Sequence, residues 1–190
     1  MSELLKLNEH SNSEPTIPAI TPVDFMTVAT NLSLTEHLKK KVTSPLVLKL
    51  TTLEMVDLHY PEKDWLRVYT DGSQVGRANT AGAGVHCRLF LQYASVGVNE
   101  SNFDGEIETI SMALQHLIYR LHAFEKVVIL VDSKAAFEVV SSNSQPKSKK
   151  ISDIKQALIH LQAFKKVVIF QWVPSHVGLE GNEMADKLVR

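Results

Sequence analysis

Two aspartates stand at the ends of stretches rich in β-branched and aromatic residues. Asp71 closes WLRVYTD just before Gly72, and Asp132 follows KVVILV just before Ser133. If the two stretches are neighbouring strands, the carboxylates lie side by side, which is unfavourable unless a cation binds them. The small residues after them leave room for a ligand. The alternative is that each Asp caps the next element, and this is weaker for Asp71 because a second strand follows it.

A third acid, Glu106, is placed by helical periodicity. At about 100° per residue, Glu106 lies at the edge of an apolar stripe and Glu108 points to the opposite, solvated face. Glu106 can therefore point along the sheet from the first turn, whereas Glu108 is expected to complement the helix dipole. The same dipole role stays open for Glu106. The stripe that predicts the helix has i, i+3, i+4, i+7 spacing and consists of Ile107, Ile110, Leu114, Leu117, Ile118 and Leu121.

The C-terminal segment has the sequence VPSHVGLEGNEMADKL and supplies further acids. Gly178 and Gly181 predict a turning loop, with a helix beginning near the second of them. Glu183 and Asp186 are spaced i, i+3 on one face of that helix. His176 lies in the loop beside these acids, although a lone histidine in a loop is most often merely solvated.

The elements that carry these residues follow the order β-β-β-α-β-α-α-β-α. Right-handed crossovers make the last two strands parallel to the first. The fold class is therefore α/β, with a five-stranded mixed sheet of three antiparallel and two parallel strands and helices on both faces. The remaining predicted elements are strands at Ala81–Arg88, Phe90–Val98 and Lys166–Trp172 and helices at Ser133–Val140 and Ile151–Ala163, with a loop at Ser141–Lys150.

Residues 1–60 are predicted to be a connector or leader, partly disordered, and residues 61–190 the main domain. None of the eight Gly residues precedes Gly72, and five of the seven Pro residues lie at or before Pro61. The segment Ser11–Pro22 suits an extended or disordered chain. Ser33–Glu36 is a capping box for a short helix, and Leu46–Leu58 is apolar with a period between that of helix and strand.

Composition excludes several classes of protein. With 20 Lys and Arg against 21 Asp and Glu, the net charge is -1, which rules out nucleic-acid binding by bulk positive charge alone. The longest apolar run is far short of the roughly 20 residues of a membrane span, and no secretory signal is recognisable. The single Cys87 cannot form an internal disulfide. We expect an intracellular, monomeric protein with no membrane partner.

Taken in order, the motifs TDGS, GEIETISMAL, VDSKAA and SHVGLEGNEMAD resemble the ribonuclease H domain. The resemblance is to type 1, as found beside reverse transcriptase in non-LTR retrotransposons, and covers Asp64–Arg190. It implies that four carboxylates bind two Mg²⁺ or Mn²⁺ ions: Asp71, Glu106, Asp132 and Asp186. Carboxylate oxygens suit these hard cations, and two ions about 3.5–4 Å apart can clamp both ends of an in-line displacement.

The resemblance also implies roles for the residues around the acids. His176 matches a loop histidine that assists product release or proton transfer, and Glu183 matches an acidic neighbour that tunes the site. Lys134 stands where relatives often carry Gln or Asn. The implied substrate-binding residues are Gly72, Ser73, Asn102, Ser133 and Lys134.

The implied activity is endonucleolytic hydrolysis of the RNA strand of an RNA/DNA hybrid, leaving 5′-phosphate and 3′-hydroxyl ends. The implied partners are the hybrid and an adjoining reverse transcriptase domain. One alternative is a weakly active or inactive nucleic-acid-binding fragment with the same fold. Another is a related metal nuclease or transposase-type strand-transfer enzyme, against which the spacing of His176 and Asp186 argues.

Overall fold

The computed structural model describes residues 29–31, 44–75, 80–142 and 144–189. Its strands form one mixed sheet of order β1-β6-β5-β2-β3-β4. The strands are β1 (Ala29–Asn31), β2 (Leu66–Val75), β3 (Thr80–Cys87), β4 (Phe90–Val98), β5 (Lys126–Val131) and β6 (Val167–Trp172). The helices are α1 (Pro45–His59), α2 (Asn102–Ile118), α3 (Lys134–Ser141), α4 (Lys149–Ala163) and α5 (Glu180–Val189).

The predicted five-stranded sheet and its element order are confirmed. Strands β2, β3 and β4 are antiparallel neighbours, and β5 and β6 run parallel to β2. A sixth, three-residue strand that the sequence did not predict, β1, adds to the edge of the sheet in parallel with β6. The predicted extended segment Ser11–Pro22 and the capping box at Ser33–Glu36 lie outside the described residues.

Helices cover both faces of the sheet, as predicted. On one face α2, α3 and α4 enclose a core with side chains of β2, β3, β5 and β6, including Ile110, Leu114, Ile129 and Leu158. On the other face α1 and the loop before α5 enclose a second core around Val128. None of the described helices combines the length and the apolar character needed to cross a membrane.

Strand β2 corrects one prediction, because it does not stop at Gly72. The parallel pairing with β5 ends at the pair Tyr69–Leu130, but the antiparallel pairing with β3 continues through Gly72 and Ser73. Asp71 therefore lies within a strand, at the point where its parallel neighbour ends. Beyond this point β2 still has β3 as a neighbour but no longer has β5. The candidate site lies in the space beyond the end of β5.

Two helices also differ from the sequence-based expectation. The predicted loop Ser141–Lys150 is shorter, because α4 already begins at Lys149 with Ser148 as its cap. The ambiguous segment Leu46–Leu58 is helical and forms α1, with Ser44 capping its start and Pro45 in its first turn. Proline is tolerated there because the first N–H groups of a helix have no partner inside it.

Helix α1 is fixed to the sheet by buried contacts. Met55 is 1 % exposed, and the Tyr60 hydroxyl donates a 3.0 Å hydrogen bond to the buried Gln171 side chain. Arg67 of β2 donates to the carbonyl oxygen of Tyr60 at 2.8 Å and pairs with Asp57 at 2.8 Å. The assignment of residues 1–60 to a connector stays a prediction, but α1 itself forms part of a core.

We expect Met55→Ala to lower the free energy of unfolding by about 2–5 kcal/mol, because it leaves a cavity between α1 and the sheet. The matched control is Leu58→Ala in the same helix, where the side chain is 69 % exposed and the expected change is within about 0.5 kcal/mol. Urea unfolding measures both. Equal stability of the two variants would show that α1 does not pack as described.

Candidate active site

The site begins with a contact between two glycines, Gly72 on β2 and Gly105 on α2. A Cβ atom on Gly72 would overlap the main-chain nitrogen of Glu106 and lie 2.5 Å from the carbonyl carbon of Gly105. A Cβ atom on Gly105 would lie 3.5 Å from Cα of Gly72 and 2.9 Å from the carbonyl oxygen of Gly82. The start of α2 can therefore lie directly on β2. This places the main chain of Glu106 against Gly72, the residue after Asp71. The position that a side chain on Gly72 would occupy is filled by α2, while Gly72 itself still borders the cleft described below.

Three acids converge at this contact. Asp71 and Glu106 are 3 % and 8 % exposed, and Asp132 follows the last residue of β5. Burial raises the pKa of Glu106 to about 9, and the nearby charges of Asp132 and Asp71 add to the effect. In the absence of a cation Glu106 is therefore protonated at neutral pH. Its carboxyl group accepts a hydrogen bond from the Gly72 N–H and shares another with the side chain of Asp132.

The roles that competed with this arrangement belong to other residues. Asp104, which forms a capping box with Ser101, is the acid in the first turn of α2, so the dipole role left open for Glu106, in the second turn, belongs to Asp104. Ser133, rather than Asp132, caps α3 by accepting a hydrogen bond from the Ala136 N–H. This leaves both acids available for the cluster.

Glu108 was expected only to complement the helix dipole, and the structure gives it a partner. Its carboxylate lies 2.6 Å from Nζ of Lys150, so it links α2 to α4 on the side of α2 away from the cluster. The side chains are 23 % and 41 % exposed, and the pair is worth no more than a surface ion pair.

Trp172 at the end of β6 holds the main chain at Asp132. Its indole N–H donates a 3.1 Å hydrogen bond to the carbonyl oxygen of Asp132. Nζ of Lys134 lies 4.3 Å from the centre of the Trp172 ring, a cation–π contact. Lys134, predicted to bind substrate, is thus placed on Trp172 and is not among the residues that line the cleft described next.

The acids open into a cleft of about 330 Å³. Eight residues proposed from the sequence line it: Asp71, Gly72, Ser73, Asn102, Glu106, Asp132, Ser133 and His176. His176 is exposed and has a φ of 53°, in the left-handed region that few residues other than glycine adopt. His176 thus lines the cleft from a loop whose backbone at this residue is restricted to an uncommon conformation.

The sequence did not indicate two further polar or aromatic lining residues, Phe103 and Ser175. Phe103 continues the apolar stripe of α2 by one turn, so periodicity assigns it to the core, yet it is 38 % exposed. Its exposure at a cleft could have been inferred only from the position of the start of α2 relative to the sheet. Nothing in its spacing distinguishes Ser175.

Asp186 and Glu183 lie on α5 rather than in the lining of the cleft. Asp186 is 6 % exposed, on the helix that packs against β2 and β3, and Glu183 is partly exposed. Asn182, one turn before Asp186, is 2 % exposed, and its Oδ1 atom has no hydrogen-bond partner among the described residues. The structure therefore groups three of the four predicted ligands in the cleft and places the fourth on the neighbouring helix.

The chemistry of the cluster fits a divalent cation. Oε2 of Glu106 is buried without a hydrogen-bond partner among the described residues, beside two other carboxylates. Within that part of the chain, no group of three or more His, Cys, Asp or Glu side chains could hold an ion as it stands. Burial and the neighbouring charges of Asp132 and Asp71 raise the pKa of Glu106, and a bound cation would oppose the effect of those charges.

The acids lie where the parallel pairing of β2 and β5 ends, and in α/β proteins the functional site commonly forms at that end of a parallel sheet. Residues 63–190 match the family model for RNase H, and the chain belongs to that family. Members of this family act on RNA paired to DNA and generally depend on divalent metal ions. The match begins after α1, so α1 and β1 lie outside the matched region.

We expect Glu106→Gln to stabilise the metal-free protein by about 1–3 kcal/mol at pH 8, because an amide replaces a buried, crowded acid. The folded-state pKa of Glu106, about 9, lies above its ordinary value of 4.5. Its contribution to stability is therefore complete below pH 4.5 and is lost as pH rises towards 9. The advantage of the variant should widen over that interval in thermal unfolding with EDTA.

The control is Glu138→Gln, which changes an exposed glutamate of α3 and should leave the pH profile as in the wild type. A Glu106→Gln protein that is less stable than the wild type at pH 8 would contradict the assigned crowding. Addition of Mn²⁺ should raise the unfolding temperature of the wild type more than that of Glu106→Gln.

Proposed function

We propose that this chain is a metal-dependent endonuclease that hydrolyses the RNA strand of RNA/DNA hybrids. The observation that carries the proposal is the convergence of Asp71, Glu106 and Asp132 in one cleft, inside the region that matches the RNase H family. A protein that only bound nucleic acid would gain nothing from burying three mutually repelling acids.

The proposed metal ligands are these three carboxylates together with Asp186 of α5. Two Mg²⁺ or Mn²⁺ ions held there would supply an activated water and stabilise the departing 3′-oxygen, so that the products carry 5′-phosphate and 3′-hydroxyl ends. The part of the chain is to gather the carboxylates and to hold the main chain at Asp132 through Trp172. Glu183 on the same helix as Asp186 adds negative charge nearby.

Neutral polar groups along the cleft suit a hybrid duplex. The side chains of Ser73, Asn102 and Ser133 line it beside the acids, and each can donate to or accept from a ribose hydroxyl or a phosphate. Contacts to 2′-hydroxyls distinguish an RNA strand from DNA without reading the base sequence. We therefore propose that recognition depends on the strand type and on duplex shape.

His176 is the proposed proton-transfer or product-release residue, because it is an exposed imidazole at the edge of the cleft. It is not part of the buried acid cluster, so its removal should leave the metal ligands in place. Its contribution is expected in the rate rather than in the folding of the site.

The primary prediction is selective cleavage of the hybrid. Incubation with Mg²⁺ or Mn²⁺ should cut labelled RNA when it is paired with DNA, and should leave single-stranded RNA, duplex RNA and duplex DNA intact. End analysis should find a 5′-phosphate on the downstream product. Cleavage that persists in EDTA, or that shows no preference for the hybrid, would refute the proposed function, and hybrid binding without cleavage would favour the inactive-fragment alternative.

Asp132→Asn and Asp71→Asn should each reduce turnover by at least about 10³-fold, because each removes a charge that holds the ions. Circular dichroism should remain native, since the amide keeps the size of the side chain. Asp153→Asn, at an exposed position of α4, is the matched control and should retain full activity. Normal turnover in either cleft variant would mean that the site is wrongly assigned.

His176→Asn should slow hybrid cleavage by about 10²-fold, the lower range for loss of a general acid or base. Asparagine is the appropriate replacement because it tolerates the left-handed backbone at this position. His176→Ala adds backbone strain and should be destabilised as well. If His176→Asn abolished the Mn²⁺-induced rise in unfolding temperature, the residue would belong to the metal site instead.

A further inference from the structure

Helix α5 lies on the sheet at positions that have no side chain. A Cβ atom on Gly84 of β3 would overlap the carbonyl oxygen of Ala185, and one on Gly82 would lie 2.5 Å from Cγ1 of Val189. Non-bonded heavy atoms are at optimal separation at about 3.5–4.0 Å. The helix can approach β3 this closely because both positions are glycine.

The two glycines differ in what a side chain would meet first on α5. The nearest neighbour of Gly84 is main chain, which cannot withdraw unless the helix itself moves. The nearest neighbour of Gly82 is a methyl group of Val189 in the last turn, a side chain whose other methyl group lies 2.7 Å from the Cβ position of Gly84. A methyl group at Gly84 would therefore overlap the helix backbone next to Asp186, whereas the overlap of one at Gly82 is with a side chain.

Gly84 also pairs directly with Asp71 in the antiparallel register of β2 and β3. Directly opposite residues of such a pair project on the same face of the sheet. The segment Ala185–Asp186 is thus docked on the cross-strand partner of Asp71, on the face to which Asp71 belongs. This explains how Asp186 can serve the cluster although it does not line the cleft that α2 borders.

We propose that Gly84 is a positioning residue, whose missing side chain sets the approach of Asp186 to Asp71. The inference rests on the proposed function, in which Asp186 binds metal. Because the carbonyl oxygen of Ala185 occupies the place of a Cβ atom on Gly84, the position of α5 at the ligand depends on how closely its backbone fits the strand. An alanine at position 84 forces the helix outward at the ligand itself.

The test compares Gly84→Ala with Gly82→Ala by thermal unfolding during a Mn²⁺ titration without nucleic acid. Gly84→Ala should bind Mn²⁺ about 10–100-fold more weakly, the usual effect of losing a group that orients a metal ligand. Gly82→Ala should keep the Mn²⁺ dependence of the wild type, even if both variants unfold at a lower temperature without metal. In hybrid cleavage, Gly84→Ala should lower kcat by a similar factor and leave KM within about threefold.

Equal Mn²⁺ affinity in the two variants would overturn the inference, as would a wild-type protein that does not respond to Mn²⁺. If Gly84→Ala does not fold, the double variants Gly84→Ala/Val189→Ala and Gly82→Ala/Val189→Ala replace the pair, because both remove the overlap with the Val189 side chain and only the first leaves the backbone overlap at Ala185. Failure of Gly84→Ala/Val189→Ala to fold would also overturn the inference, since the contact between Gly84 and Ala185 would then be needed for folding rather than for positioning Asp186. Because Mn²⁺ binding needs no turnover, a wild type that binds Mn²⁺ but cuts no hybrid refutes the proposed function alone.

Discussion

The backbone of α2 lies directly against β2 at Gly72, and the acid cluster depends on this contact. With side chains at Gly72 and Gly105, the helix would stand further from the sheet, and Glu106 would not reach Asp71 and Asp132. Glycine costs conformational entropy in a strand or a helix. This contact contains two glycines and therefore carries that cost twice. The close approach that they allow is what brings the three acids together.

The cluster is itself unfavourable for folding, so the rest of the domain must hold it together. Burial and two neighbouring charges keep Glu106 protonated in the metal-free state. Two cores, one on each face of the sheet, provide the opposing stability, and both rest on β5, which contributes Val127 and Ile129 to one face and Val128 and Leu130 to the other. Asp132 follows directly after that strand, so its main chain is fixed by the most buried part of the sheet.

The sequence predicted the elements well because their hydrophobic periods are clear, and it predicted the cleft acids because each lies within or directly after such an element. It could not show that β2 passes through Gly72, since a glycine after a strand indicates a turn just as well as a close helix contact. Phe103 was hidden by its place in the stripe of α2, and Lys134 by the absence of any sequence link to Trp172. Each of these depends on contacts between elements distant in the chain, which periodicity does not report.

The near-neutral net charge follows from the same cluster. Residues 61–190 hold 15 Lys and Arg against 14 Asp and Glu, and four of those acids are the proposed ligands. With their charge neutralised, the basic residues outnumber the remaining ten acids. A polyanion would then bind next to a cleft without net negative charge, on a mildly basic surface. Its affinity would be weak because the positive charge is small, and salt-sensitive because binding releases counterions. In the proposed function, substrate affinity and occupancy of the acid site would thus be coupled through electrostatics, because neutralising the acids would both relieve their repulsion and remove the barrier to phosphate.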